Sequence, residues 1–282
     1  MNIPTVKLNN GVEMPIEGFG VYQVSDFNEC KQAVLDALDS GYRAIDTAQA
    51  YDNEEAVGAA LKESNIARKD IFLTTKVWIS NYSNAKASVE ESMKKLGVDY
   101  LDLVLLHQPF ADYYSAYRDL EDLYKEGKIR AIGVSNFYPD RLIDLVSNTD
   151  VVPAIDQVET HVFNQQVEAQ KYMEKYNVQI ESWGPFAEGR NDLFTNSVLT
   201  EIGKKYNKSA AQVALKYLTQ RNVVIIPKSV HKERMQQNLD LYDFELSDED
   251  MKNILALDTK KSLFMNHESP ETAEMFMNWS KN

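Results

Sequence analysis

Three apolar runs end on residues that can hold, donate or accept a proton: YRAID closes on Asp46, IFLTTK on Lys76 and LDLVLLH on His107. Tyr51 follows Asp46 by five residues, in the loop after the first run. The chemistry open to such a set is carbonyl reduction. A carbonyl that accepts hydride at carbon needs a proton at oxygen, and a tyrosine hydroxyl can deliver it. A free phenol, with a pKa of about 10, is poorly matched to neutral pH. An ammonium about 4 Å away contributes ~4 kcal/mol at an effective dielectric of about 20, equivalent to about three pKa units. Lys76 is therefore expected to make Tyr51 a stronger acid, with Asp46 steadying the amine and taking back part of the effect. Neutral His107 would donate a hydrogen bond to the carbonyl oxygen and orient the substrate. Each residue alone has a plainer reading, because strand-end Asp and Lys form structural ion pairs and lone His and Tyr pack in cores. Their shared position at the ends of successive strands is what argues for a site.

Bringing those ends together requires parallel strands. Apolar strand candidates end at Ile45-Asp46, Thr75-Lys76, Leu106-His107, Val134-Ser135, Val158-Glu159, Ser182-Trp183 and Ile226-Pro227, with a Gly-rich first one at Gly18-Phe19-Gly20. Helical patterns alternate with them, and Asp26/Glu29 and Ser209/Gln212 have capping-box spacing. Eight strand–helix units in succession predict an α/β fold of the (β/α)₈ TIM-barrel type, in which the active site lies at the C-terminal ends of the strands. Asn10-Gly11, between two short apolar stretches, predicts an N-terminal β-hairpin over residues 1–15. The expected organisation is one barrel domain over 1–282, with 259–282 as a C-terminal tail near the substrate pocket.

The chain's size, 282 residues at 44% hydrophobic content, suits one such core. Its net charge of −13 repels phosphate backbones and argues against a nucleic-acid partner. A bound anionic cofactor would need a local basic cluster, and one occurs around residue 230. The single Cys30 excludes an internal disulfide, and its stripe with Ala33, Val34, Ala37 and Leu38 reads as helix core. His107, His161, His231 and His267 lack ligand-type spacing, so no metal is expected. With neither a signal peptide nor an apolar run long enough for a membrane span, the expected location is the cytoplasm.

Longer segments carry a family resemblance. GYRAIDTAQAYDNEEAVG at 41–58, FLTTKVW at 72–78, YLDLVLLHQP at 100–109 and IPKSVHKERMQQN at 226–238 together resemble the aldo-keto reductases, bacterial glyoxal and keto-sugar reductases in particular. The resemblance implies Asp46, Tyr51, Lys76 and His107 as a catalytic tetrad with Tyr51 as acid, and a monomer as the common state. It implies NADPH as cofactor: Ser135 and Asn136 of GVSNF with Gln157 on the nicotinamide amide, Trp183 stacked on the ring, and Gly20 and Val21 also in contact. Lys228, Ser229 and Arg234 would bind the adenosine 2′-phosphate, with Asn238 on adenine. Tyr22, Trp78 and His107 would contact a small carbonyl substrate, with the tail around Phe276 nearby. Dicarbonyls and keto-sugars are the expected class.

Some positions depart from the family pattern: Ala44 where a bulkier residue is frequent, Asp156 where Asn is usual, and Gln108 where Trp is common. Segment 184–195 is too short for a long loop over the cofactor. A short-chain dehydrogenase is the rival enzyme, but its Tyr-x-x-x-Lys pair matches only at Tyr82/Lys86 and Tyr124/Lys128, without a dinucleotide fingerprint. A nucleotide-binding protein that keeps the barrel without turnover remains open on fold alone.

Overall fold

The computed structural model describes residues 3–281. A hairpin of β1 (Thr5–Lys7) and β2 (Glu13–Pro15) comes first, pairing antiparallel around the Asn10-Gly11 turn. Parallel strands then alternate with helices: β3 (Phe19–Gly20), α1 (Phe27–Ser40), β4 (Ala44–Asp46), α2 (Glu54–Glu63), β5 (Phe72–Val77), α3 (Ala85–Leu96), β6 (Leu101–Leu106), α4 (Tyr113–Lys125), β7 (Ile129–Ser135), α5 (Pro139–Val146), β8 (Ile155–Glu159), α6 (Val167–Lys175) and β9 (Gln179–Trp183). After α7 (Ser197–Tyr206) and α8 (Ala210–Gln220) comes β10 (Val224–Ile225), followed by α9 (Lys232–Leu239), α10 (Asp248–Leu255) and α11 (Pro270–Trp279). Strands β3 to β10 form one parallel sheet in sequence order. The sheet closes on itself: Gly18 N–H donates to Ile225 O at 2.8 Å, Ile225 N–H to Ile16 O at 2.9 Å and Gly20 N–H to Pro227 O at 3.3 Å. Eight parallel strands with outer helices make the expected (β/α)₈ barrel.

Residues two apart on a strand share a face, so one parity of each strand lines the barrel interior. Its lower layer is apolar: Ala44, Phe72, Leu103, Leu105, Ala131, Ile155 and Val224 pack together, with Val6, Leu8 and Met14 of the hairpin against them. The hairpin is thus a plug for that end. The opposite parity, Ile45, Leu73, Val104, Ile132 and Ile180, packs outward against the helices, where Cys30 is buried as its stripe predicts. Continuing the inner parity upward gives Asp46, Lys76, His107, Ser135, Gln157, Glu159, Glu181 and Trp183. The interior is narrow. A Cβ at Gly133 would lie 2.6 Å from Ile155 O and 2.8 Å from Leu105 Cδ2, so β7 needs glycine there to keep its neighbours in register.

The predicted strand ends differ slightly from the observed ones. Val77 extends β5 past Lys76, and His107 is the first residue after β6, although its N–H still donates to Val77 O at 3.1 Å. Ser209 and Gln212 form the full reciprocal capping box, whereas Asp26 caps α1 only through the Glu29 N–H.

Candidate active site

The four residues expected to react meet at the C-terminal rim. Lys76 is completely buried and ion-paired to Asp46; its Nζ also donates to Thr47 O and to the Tyr51 hydroxyl, each at 3.2 Å. Tyr51 stands on a 3₁₀ turn over Gln49–Tyr51, close enough to β4 for its hydroxyl to reach back over the strand end. Its ring meets His107 edge-on at 5.7 Å between centroids and Tyr22 at 5.0 Å. Trp78 meets the other side of His107 at 5.1 Å. The His107 Nδ1 is buried without a hydrogen-bond partner, leaving the imidazole uncommitted at the site.

Electrostatics correct one expectation. Burial raises Tyr51 above the ordinary tyrosine range; the Lys76 charge works against that, and the Asp46 charge restores part of it. Burial is the largest influence and outweighs the lysine, with Asp46 taking back part of what the lysine gives. Burial opposes the charge on Lys76 as well, but Asp46 and Tyr51 hold the amine above its ordinary range, so it remains an ammonium. His107 is pushed well below the ordinary histidine range by burial and then by the Lys76 charge, and is neutral at neutral pH.

The expected cofactor residues fall into two groups. Ser135, Asn136, Gln157 and Trp183 form a linked group that meets His107 through Asn136: the Asn136 side-chain amide donates to His107 O at 3.1 Å, the Ser135 hydroxyl to Gln157 O at 2.8 Å, and Trp183 Nε1 to Asn136 Oδ1 at 2.9 Å. Gly20 and Val21 spend their N–H groups on Pro227 O and Asp46 O, so they can border a ligand by shape but not by N–H donation. The second group sits at the start of α9. Ser229 and Asn238 are buried, and Lys228 and Arg234 are exposed with no ion pair among the described residues. Their neighbour Lys232 is instead held by Asp39 at 2.9 Å and Asp36 at 3.8 Å. Segment 184–195 is compact, yet Gln23 donates to Glu188 Oε1 at 3.1 Å, a side-chain bridge where no long loop was expected.

The tail packs against the Trp78 side of the rim. Phe276 of α11 packs on Trp78 at 6.2 Å and on Phe110 at 5.0 Å, and Trp279 also approaches Trp78. Gln108 is tied to the tail through its Oε1, which is engaged by His267 Nε2 at 3.0 Å and leaves only the side-chain amide nitrogen to donate elsewhere. Asp156, where Asn was expected, has one oxygen accepting the Phe137 N–H at 3.3 Å and the other without a partner. Burial lifts it well above the ordinary carboxylate range, with the Phe137 N–H pulling the other way.

Two residues escaped the sequence reading. Gln49 ties the Tyr51 turn to its surroundings, accepting from Trp78 N–H and Asn81 Nδ2 at 2.9 Å each and donating to Ser88 and Ser92. Glu181 is fully buried beneath Gln157. Its signal was present: it lies two residues before Trp183 and shares that residue's inward parity.

The family model described as the aldo/keto reductase family matches residues 17–259. The chain is 48% identical over 256 residues to "Glyoxal reductase" of Bacillus subtilis (strain 168), covering 90% of this chain and 92% of that one. It is 39% identical over 265 residues to "Methylglyoxal reductase DkgA" of Escherichia coli (strain K12), covering 93% and 96%. Among solved structures, an aldo-keto reductase of Bombyx mori in complex with NADP superposes with a TM-score of 0.88 at 32% identity, covering 94% of this chain and 96% of that one.

The buried pair has a stability consequence. Lys76→Met leaves Asp46 without its cation and is expected to destabilise the fold by about 3–5 kcal/mol, read as a lowered urea midpoint. Adding Asp46→Asn should recover part of the loss; a double variant no more stable than Lys76→Met would show that the lysine stem, not the charge pairing, carries the effect.

Proposed function

The chain belongs to the aldo/keto reductase family, and on that premise we propose that it reduces small dicarbonyls with NADPH, using Tyr51 as general acid. Reduction of carbonyl compounds with a nicotinamide cofactor is the family's chemistry. The observation that carries the finer reading is the Tyr51 hydroxyl 3.2 Å from a buried ammonium, beside a neutral histidine with a free ring nitrogen. When bound, the cofactor supplies the hydride. Ser135, Asn136 and Gln157 would hold its amide, with the flat face of Trp183 against the ring. Lys228 and Arg234, being unpaired cations on an acidic chain, suit a 2′-phosphate better than a bare ribose.

The protein's own steps then follow. His107, neutral, donates to the carbonyl oxygen and orients it; Tyr51 delivers a proton to that oxygen as negative charge develops there. Lys76 stabilises the phenolate left behind, which is where its charge matters most, since the raised resting value of Tyr51 means the proton moves only when an oxyanion forms to receive it. Trp78, Phe110 and Phe276 exclude water from the site. The relatives named for glyoxal and methylglyoxal support a small dicarbonyl as substrate.

Tyr51→Phe removes only the hydroxyl, so methylglyoxal reduction is expected to fall about 10²–10⁴-fold while the fold persists by circular dichroism. A variant within a few-fold of the parent rate would remove Tyr51 from the acid role. Across carbonyl substrates, kcat/KM for methylglyoxal should exceed that for medium-chain aldehydes by about tenfold or more, and the reverse order would redirect the assignment to apolar aldehydes. Arg234→Gln should weaken NADPH binding roughly tenfold to a hundredfold and NADH binding much less. Equal losses for the two cofactors, measured by fluorescence titration, would mean that Arg234 does not read the 2′-phosphate.

A further inference from the structure

One amide nitrogen serves two buried acids. Gln157 Nε2 donates to Asp46 Oδ2 at 3.0 Å and to Glu181 Oε2 at 3.1 Å. Glu181 and Lys76 have no solvent exposure and Asp46 has 3%. The charged groups that act on Glu181 are Asp46 from β4 and Lys76 from β5. The flanking strands bring only Gln157 of β8 and Val224 of β10 into register with it, neither of them titratable. Among the described residues, Lys76, already ion-paired to Asp46, is thus the one cation acting on both carboxyl groups. A second ionised carboxylate in the same enclosure would be uncompensated, at a cost of several kcal/mol, unless it kept its proton. Glu181 Oε1, buried and without a partner, is the atom left to carry that proton.

We propose that Glu181 is a positioning residue for the reduction: while protonated it leaves the Lys76 charge to Asp46 and Tyr51, and its ionisation in alkaline solution draws on that charge and weakens Tyr51 as an acid. The proposal rests on the reading of Tyr51 as general acid. Burial, then the Asp46 charge, pushes the Glu181 carboxyl up to about 8, with the Gln157 hydrogen bond and the Lys76 charge pulling the other way. The change therefore falls within an accessible pH range. Its sign follows from charge: an added anion near the phenol favours the neutral over the ionised form, so proton donation slows as pH rises through about 8.

The test measures kcat with saturating NADPH and methylglyoxal between about pH 6.5 and 9.5, a range centred on the value of about 8 for the Glu181 carboxyl. The parent is expected to lose roughly tenfold, the equivalent of about one pKa unit on the acid. Glu181→Gln keeps an acceptor for Gln157 but cannot ionise, and should flatten that decline. Glu181→Asp keeps a carboxyl and should retain a decline at a displaced pH, which guards against a folding defect in the Gln variant. Infrared difference spectra provide a readout independent of turnover: the protonated-carboxyl band lost on raising the pH should shrink in Glu181→Gln. Glu17→Gln serves as a control, since burial also pushes the Glu17 carboxyl up to about 8. An unchanged decline or an unchanged band in Glu181→Gln overturns the proposal. Parent-like turnover in Tyr51→Phe with the band assignment intact would instead defeat the general-acid reading and leave the Glu181 proton established.

Discussion

A lysine ammonium cut off from water is tolerable only beside a fixed anion, and meeting that condition organises the mouth of this barrel. Lys76 and Asp46 come from adjacent strands, so the sheet itself holds the pair in register. Tyr51 is placed by the same cation, through a hydroxyl that has to leave the β4–α2 loop and turn back toward the strand ends. Gln157, two strands beyond His107, reaches across the interior to the free oxygen of Asp46. Three strands and the loop that carries Tyr51 thus commit polar side chains to one charge. Moving any of them would strand a buried polar group.

The barrel tolerates this polar layer because the layer beneath it is dry. The parity that puts Asp46, Lys76 and Gln157 at the top puts Ala44, Phe72 and Ile155 below, sealed by the hairpin. Hydrophobic burial in the lower half and in the strand–helix shell supplies the stability. The upper half can then hold groups whose burial opposes their charged forms, Glu181 and His107 among them.

The tail is welded to the same rim by a different acid. Glu159 accepts from His161 Nε2 at 3.0 Å, from the Ser262 hydroxyl and from Leu263 N–H at 2.8 Å. The His161 Nδ1 accepts from the Phe163 and Asn164 N–H groups, which places the ring proton on Nε2, facing Glu159. Burial works against the Glu159 charge, but these donors outweigh it and hold the carboxyl below its ordinary range. From that anchor the chain runs to His267 on Gln108 and to Phe276 on Trp78. Phe264 meets Trp183 at 5.2 Å on the way, so one tail touches both the substrate wall and the aromatic face expected to stack on the cofactor.

The linear pattern of apolar runs, each ending on a polar residue, determined the barrel, and the parity within each run determined which side chains face inward. Both are properties of local periodicity, legible without any tertiary contact. The meeting of Asp46, Tyr51, Lys76 and His107 was legible for the same reason, because parallel strands must end at one rim. What the sequence could not decide was the state of those groups. Lys76 was expected to strengthen Tyr51 as an acid, yet burial wins, since desolvation depends on everything packed around the ring and not on the neighbour in the motif. Gln108 read as a departure from the family pattern, and the histidine 159 positions later that holds its amide oxygen was not visible from the residue itself. Glu181 escaped the sequence reading altogether, and only the closed interior, which sets it against Asp46 through one glutamine, makes its proton matter. Periodicity is local and survives in one dimension; solvation and charge sharing are sums over three-dimensional neighbours, so only the folded chain could settle them.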